Sequence, residues 1–176
     1  MIRRLLVRPL LVRPGVRRKA RLAMAAALGL AASSAGALPP EAQWVVHRSV
    51  SVAAARKMIG ACEELAARNH WVVAVWVLDD SGTPTAFARM EGAPVLAVET
   101  AQEKAKTALR IGHPSGDIGA GLDKGELQLL GLQLFPMKGG LPLLADGRVA
   151  GAIGVGGAES AQDEQCAQAG VDALSR

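Results

Sequence analysis

An Asp-Gly pair, Asp146-Gly147, separates two apolar runs, Leu141 to Leu144 and Val149 to Val155. The tightest turns between antiparallel strands need positive φ at both central residues, which Asp-Gly tolerates. The pair therefore predicts a β-hairpin. Upstream, "WVVAVWVLDD" (Trp71 to Asp80) is rich in β-branched and aromatic residues, and Ser81-Gly82 turns it into "TPTAFARM" (Thr83 to Met90), which predicts a second hairpin. Two hairpins cannot cover their own apolar faces, so the intervening segments must do it. Val52, Ala55, Ile59, Cys62 and Ala66 recur at steps of three and four, the signature of an amphipathic helix over 52–69. A second helix starts near Pro94, where proline suits the first turn, and ends at Ile111-Gly112. Its Ala97, Ala101, Ala105 and Ala108 form a small-residue stripe suited to close packing on a sheet. A loop with His113, Pro114, Ser115, Gly116 and Gly119 follows, then a short helix from Asp123 to Leu130 and a closing helix from Asp163 to Leu174. The order α-β-β-α-α-β-β-α predicts an α+β domain whose antiparallel sheet is built from two β-hairpins flanked by helices.

The first 37 residues have another character. Eight basic residues and no acid fall within residues 1–21, followed by the apolar run "LAMAAALGLAA" and Ala35-Gly36-Ala37 ahead of Pro39-Pro40. Basic region, short apolar core and A-x-A site predict a secretory signal peptide over 1–37, with Sec and twin-arginine export both open. The apolar core is shorter than the roughly 20 residues that span a bilayer. A lead-in segment, 38–50, carries Trp44 and His47, and the domain proper occupies 51–176. The whole chain has 20 Lys and Arg against 16 Asp and Glu. With the leader's eight removed, 12 face 16, and the net charge changes from +4 to −4. A mildly acidic domain without a basic stripe is not a nucleic-acid binder. The expected location is periplasmic or extracellular, with no stable membrane span after cleavage.

Both cysteines, Cys62 and Cys166, lie in the mature chain. Their spacing fits no metal motif, and no C-x-x-C-H offers covalent haem attachment. An oxidising compartment permits a disulfide. Because each falls on the apolar face of a predicted helix, two separate buried thiols are the preferred expectation.

Strand, glycine turn and helix over Val149 to Gly170 also suggest a phosphate loop. Glu159 stands where the third glycine of G-x-G-x-x-G belongs. Glu159, Asp163 and Glu164 crowd the helix start, the positive end that a phosphate would need. The loop is not a nucleotide site.

Chemistry-bearing residues are few. Lys104 and Thr107 are three apart and share a helix face, with Glu103 close by. Arg89, Met90, Glu91 and Gly92 end a strand just before the second helix, and Gly139-Gly140 follow Met137-Lys138. Taken singly, each reads more simply as a solvated face or a turn. His47, His70 and His113 share no metal-ligand spacing. No G-x-S-x-G marks a nucleophile, and Asp79 and Asp80 read as solvated acids at a turn.

Together the segments "VVAVWVLDDSGTPTAFARMEGAP", "AQEKAKTA" and "KGGLPLLADGRVAGAIGVGGAESAQDEQCAQAG" resemble the GlcG/HbpS-like family of haem-binding proteins, also found as the C-terminal domain of PduO-type proteins. The resemblance covers about residues 50–175. It implies a profilin-like antiparallel sheet flanked by helices, assembly into a homo-oligomer, and non-covalent binding of haem b or another small ligand. The family's patterns fall on Arg89, Met90, Gly92 and Ala93; on Lys104, Ala105, Thr107 and Ala108; on Gly139, Gly140 and Pro142; and on Gly154 to Gly157, where Gly156 replaces the usual serine. These imply ligand-binding roles for Arg89, Met90, Gly92, Lys104, Thr107, Gly139, Gly140, Gly154 and Gly157.

Haem needs an apolar slot, an axial ligand and cations for its propionates. Thr107 and His47 head the axial candidates, followed by His70, His113, Met58, Met90 and Met137, while Arg89, Lys104 and Lys138 are candidate propionate partners. With five aromatic residues and no tyrosine, a stacked aromatic pocket is not expected. The leading expectation is an exported, non-enzymatic haem- or small-ligand-binding protein in haem or iron handling or redox sensing. The alternatives are a metabolic enzyme using Lys104 for proton transfer on a carboxylated substrate, or a non-catalytic oligomeric interaction module.

Overall fold

A computed structural model describes residues 45–175. The predicted signal peptide lies outside the described residues. Helix α1 (Val52–Arg68) is capped by the Ser51 hydroxyl, which accepts from Ala54 N at 3.1 Å. Strands β1 (Ala74–Asp79) and β2 (Pro84–Arg89) form the first hairpin. Asp79 supplies the turn's polar closure: its Oδ1 accepts from Ser81 N, Ser81 Oγ and Thr83 N at 2.9, 2.7 and 2.8 Å. The hydrogen bond from the Ser81 hydroxyl is the main cause holding this carboxyl below its ordinary value, with burial pulling the other way. The residue read as a solvated acid is thus the turn's anchor.

Helix α2 (Val95–Ile111) ends on Gly112 in the left-handed conformation, φ 68°. Strands β3 (Gly140–Ala145) and β4 (Arg148–Gly156) form the second hairpin, with Asp146 and Gly147 at φ 51° and 73°, as the Asp-Gly pair predicts. Helix α4 (Ser160–Ala173) begins three residues earlier than the expected Asp163, because Gln162 reaches back to accept from Glu159 N at 3.1 Å.

One stretch departs from expectation. Residues 116–119, read as loop, belong to α3 (Gly116–Asp123), and a 3-10 turn, Leu127–Leu132, takes most of the place of the expected helix over Asp123 to Leu130. The glycines that suggested a loop make room instead. A Cβ on Gly116 would strike the Lys138 side chain, and one on Gly119 would strike the Pro136 carbonyl.

The sheet is antiparallel throughout, in the order β2-β1-β4-β3. This is the α+β arrangement the sequence predicts. Val75, Val77, Ile153 and Val155 point to one face, where they meet Met58, Cys62, Cys166 and Ala167 of α1 and α4 in the main core. There Cys62 and Cys166 form a disulfide with Cα atoms 4.6 Å apart, so the expectation of two separate thiols is corrected. The missing information was that α1 and α4 pack side by side.

The other face carries α2. Ala74, Ala93, Ala97 and Ala101 form a small-residue layer there. Gly140, Gly154 and Gly156 lie so close under α2 that a Cβ on any of them would collide with the helix backbone. The alanine stripe and the strand glycines together bring helix and sheet to near backbone contact. Gly156 in place of serine fits this, since its Cβ would meet the Thr100 hydroxyl, Ala97 O and Ala101 N.

Candidate functional site

Among these small residues α2 places one long side chain indoors. Lys104 is 1% exposed. Its ammonium donates to Asp163 Oδ2 at 2.6 Å, and Asp163, in the first turn of α4, is 2% exposed. Asp163 Oδ1 accepts from Ala158 N at 3.0 Å. The pair joins helices on opposite faces of the sheet and passes Gly139. That glycine has φ 118°, and a Cβ on it would meet Asp163 Cβ at 2.8 Å and Lys104 Cδ at 3.1 Å. Burial pushes the Asp163 carboxyl above its ordinary value, with the Lys104 ammonium and the Ala158 N–H pulling it down. Ser115, fully buried, fixes the Gly139-Gly140 turn: its hydroxyl donates to Met137 O and accepts from Gly140 N at 2.9 Å.

A cleft of about 230 Å³ opens over the pair. Leu96, Ala97, Met137 and Ala158 give it apolar walls, and Thr100, Lys104 and Asp163 supply its polar groups. Past Gly157 and Ala158, which line both spaces, lies a shallower hollow of about 470 Å³ bordered by His70, Trp71 and Val72. His70 follows α1 in the left-handed conformation, φ 58°. A further hollow of about 420 Å³, lined by His47, Arg48, Asp146 and Arg148, lies at the other end of the sheet. It contains no buried ionisable group.

The structure gathers some of the sequence candidates and separates others. Lys104, Met137 and Gly157 line the cleft, and Gly139 and Gly140 back the Lys104 segment. Gly154 spaces α2 from the sheet. Thr107 is buried, and its hydroxyl accepts from Phe135 N at 2.9 Å, pinning the 133–136 loop. Arg89 donates to Ala93 O at 2.7 Å, which closes the turn containing Gly92, φ 85°. Met90 packs against the α1–α4 core, and Met58 lies inside it. His47 is 3.5 Å from Asp80, just past the end of β1 remote from Gly157, and His113 is 3.8 Å from Asp117 on the surface. Glu103 pairs with Lys106, and Lys138 with Glu164.

Sequence reasoning missed Asp163 as a site residue, reading it as a dipole-compensating acid. The available signal was its phase. Asp163, Cys166, Ala167 and Gly170 share one helix face, and all four are buried. An acid in register with such a face must find a cation.

A family model described as haem-degrading protein, HbpS-like, matches residues 50–172. The chain belongs to this HbpS-like family. It is 33% identical to Protein GlcG of Escherichia coli K12 over 102 residues, 57% of this chain and 76% of GlcG. The fold is similar to a solved double mutant of HbpS from Streptomyces reticuli, at TM-score 0.70 and 29% identity, covering 82% of this chain and 98% of that one. It is also similar to PduOC, solved as a complex with haem, at TM-score 0.65 and 26% identity, covering 71% and 94%. Family and neighbours support a haem-related function for this HbpS-like chain, with a small ligand as its partner.

Proposed function

We propose that this HbpS-like protein is exported and binds haem b non-covalently across the Gly157–Ala158 turn. The observation that carries the reading is the likeness, over 71% of the chain, to a domain solved with haem bound. The residues present fit the group in part. The cleft alone is smaller than a haem and falls below the roughly 300–1,000 Å³ of ordinary ligand pockets. Cleft and adjoining hollow together offer apolar surface from Val72, Leu96 and Met137, an imidazole at His70 and an ammonium at Lys104. His70 is favoured over Thr107 as axial ligand because the Thr107 hydroxyl is committed to Phe135 N. It is favoured over His47 because His47 lies at the far end of the sheet. A histidine in left-handed backbone, where glycine or asparagine is usual after a helix, is the kind of local strain that function retains.

Export draws support from the composition of residues 1–37 and from the buried Cys62–Cys166 disulfide, which suits an oxidising compartment. Homo-oligomerisation draws support from the 3-10 turn, whose Leu127, Leu130 and Leu132 are 66%, 64% and 49% exposed. Light scattering of the purified mature chain tests it.

The deciding experiment is titration of residues 38–176 with hemin, followed by absorption. A saturable Soret shift near one equivalent is expected, weakened by His70→Ala and retained by Thr107→Ala and His47→Ala. A featureless, non-saturating response would remove the haem reading. Bleaching of the bound Soret band by ascorbate and oxygen would add degradation of the bound haem to binding.

A further inference from the structure

Lys104 and Asp163 are more than the fold requires. Buried ion pairs are often replaced by apolar residues without loss of stability, and this one passes Gly139 on a helix whose Ala97 and Ala101 pack as a small apolar layer. The pair is also unevenly satisfied. Asp163 has a partner on each oxygen, Lys104 Nζ and Ala158 N. An ammonium carries three donors, and Lys104 gives one of them to Asp163. Its side chain lines the cleft together with Leu96, Thr100 and Met137, and the Thr100 hydroxyl donates to Ala97 O at 3.3 Å. The Asp163 charge is offset further by its place in the first turn of α4, at the positive end of the helix dipole. The cleft therefore presents the two remaining donors of one ammonium, apolar walls and room for a few heavy atoms.

From this geometry we propose that the cleft over Lys104 is a carboxylate-binding pocket, taking an aliphatic carboxylate whose oxygens accept from the Lys104 ammonium and whose short carbon chain lies between Leu96 and Met137. A carboxylate of this kind has two sources: a porphyrin propionate or a free short-chain acid. In the first case the inference deepens the haem reading and rests on it. In the second it stands apart.

The test uses the mature chain and the variant Lys104→Met/Asp163→Asn, which removes both charges together and keeps an acceptor for Ala158 N. Its fold is checked by circular dichroism and thermal melting. In one arm butyrate, and butyramide as an uncharged control, are titrated by chemical-shift perturbation without porphyrin. In the other, protoporphyrin IX and its dimethyl ester, both iron-free, are titrated by fluorescence. A charge-assisted hydrogen bond lost from either ligand weakens binding by roughly 10-fold or more. Butyrate binding that the double variant loses, with butyramide inactive, supports the pocket with a free acid. Protoporphyrin binding that is at least tenfold weaker for the ester, and weaker in the folded double variant, supports it with a propionate. The proposal is overturned when butyrate does not bind and ester and free porphyrin bind alike, or when the folded double variant binds both acids as wild type does. Both arms lack iron and ignore the axial ligand, so a failed hemin titration and a failed carboxylate pocket remain distinguishable.

Discussion

Breaking the Cys62–Cys166 bond offers the sharpest quantitative test of the fold. The bond closes a loop of 104 residues. In the chain-entropy treatment, a loop of that length removes about 4.7 kcal/mol of freedom from the unfolded chain at 25 °C. Native disulfides of small domains usually contribute about 2–5 kcal/mol, so about 4.7 is the ceiling and about 2 the floor. Over residues 45–175, an unfolding entropy of about 2.1 cal/mol/K per residue gives roughly 0.28 kcal/mol/K, which converts that range to about 7–17 °C in Tm. Thermal and urea unfolding of oxidised wild type should be compared with reduced wild type and with Cys62→Ala/Cys166→Ala. Both comparisons should show the loss. The urea slope should rise in the uncrosslinked forms, because the freed chain exposes more surface. Two titratable thiols in unfolded, non-reduced protein, or Tm values within about 2 °C of each other, would refute the pairing of α1 with α4 through these cysteines.

Four further perturbations probe the site and its supports. Gly156→Ser would set a Cβ against the Thr100 hydroxyl and the backbone of α2, and should cost about 1–3 kcal/mol in urea unfolding. His70→Gly relieves the left-handed backbone after α1; stability should hold or rise by up to about 1 kcal/mol while hemin affinity falls, so the two readouts move in opposite directions. Lys104→Met strands a buried carboxylate and should cost about 3–5 kcal/mol at pH 7. Because burial holds the folded Asp163 carboxyl above 3.8, its protonation favours the folded state. That contribution is complete below pH 3.8 and is lost as pH rises through the folded value, so the Lys104→Met deficit should shrink on acidification from pH 7. The reverse sign applies to Asp79, whose folded value is below 3.8. Its contribution is present above 3.8 and lost as pH falls through the folded value, so wild type and Asp79→Asn should differ at pH 7 and converge in acid melts.

The parts of this architecture legible in the sequence are those governed by local periodicity. Both hairpins, α1, α2 and α4 follow from patterns of two and of three to four, and the turns from Ser81-Gly82 and Asp146-Gly147. The alanine stripe even announced how closely α2 would lie, although the glycines beneath it were read one at a time as turns. What was not legible depends on which element packs on which. Helix α3 was missed because glycine signals both a loop and a close neighbour, and only the position of Lys138 and Pro136 decides between them. The disulfide and the Lys104–Asp163 pair each join residues more than 50 apart in the chain, at 104 and 59 positions.

The two long-range links share a cause and differ in purpose. Both tie α4 to an earlier helix, the disulfide to α1 within the main core and the ion pair to α2 past the opening of the cleft. A covalent bond between α1 and α4 leaves no need for a second, costlier anchor a single turn away on α4. Cys166 already fixes the helix three residues after Asp163. The buried charges are therefore better understood through the cleft they face than through the fold they sit in. If that is right, removing both charges together should leave the Tm close to that of wild type, while removing the disulfide lowers it. Ligand binding should show the opposite order of sensitivity. A double variant Lys104→Met/Asp163→Asn that melts as far below wild type as the disulfide variant would assign the pair to the fold instead.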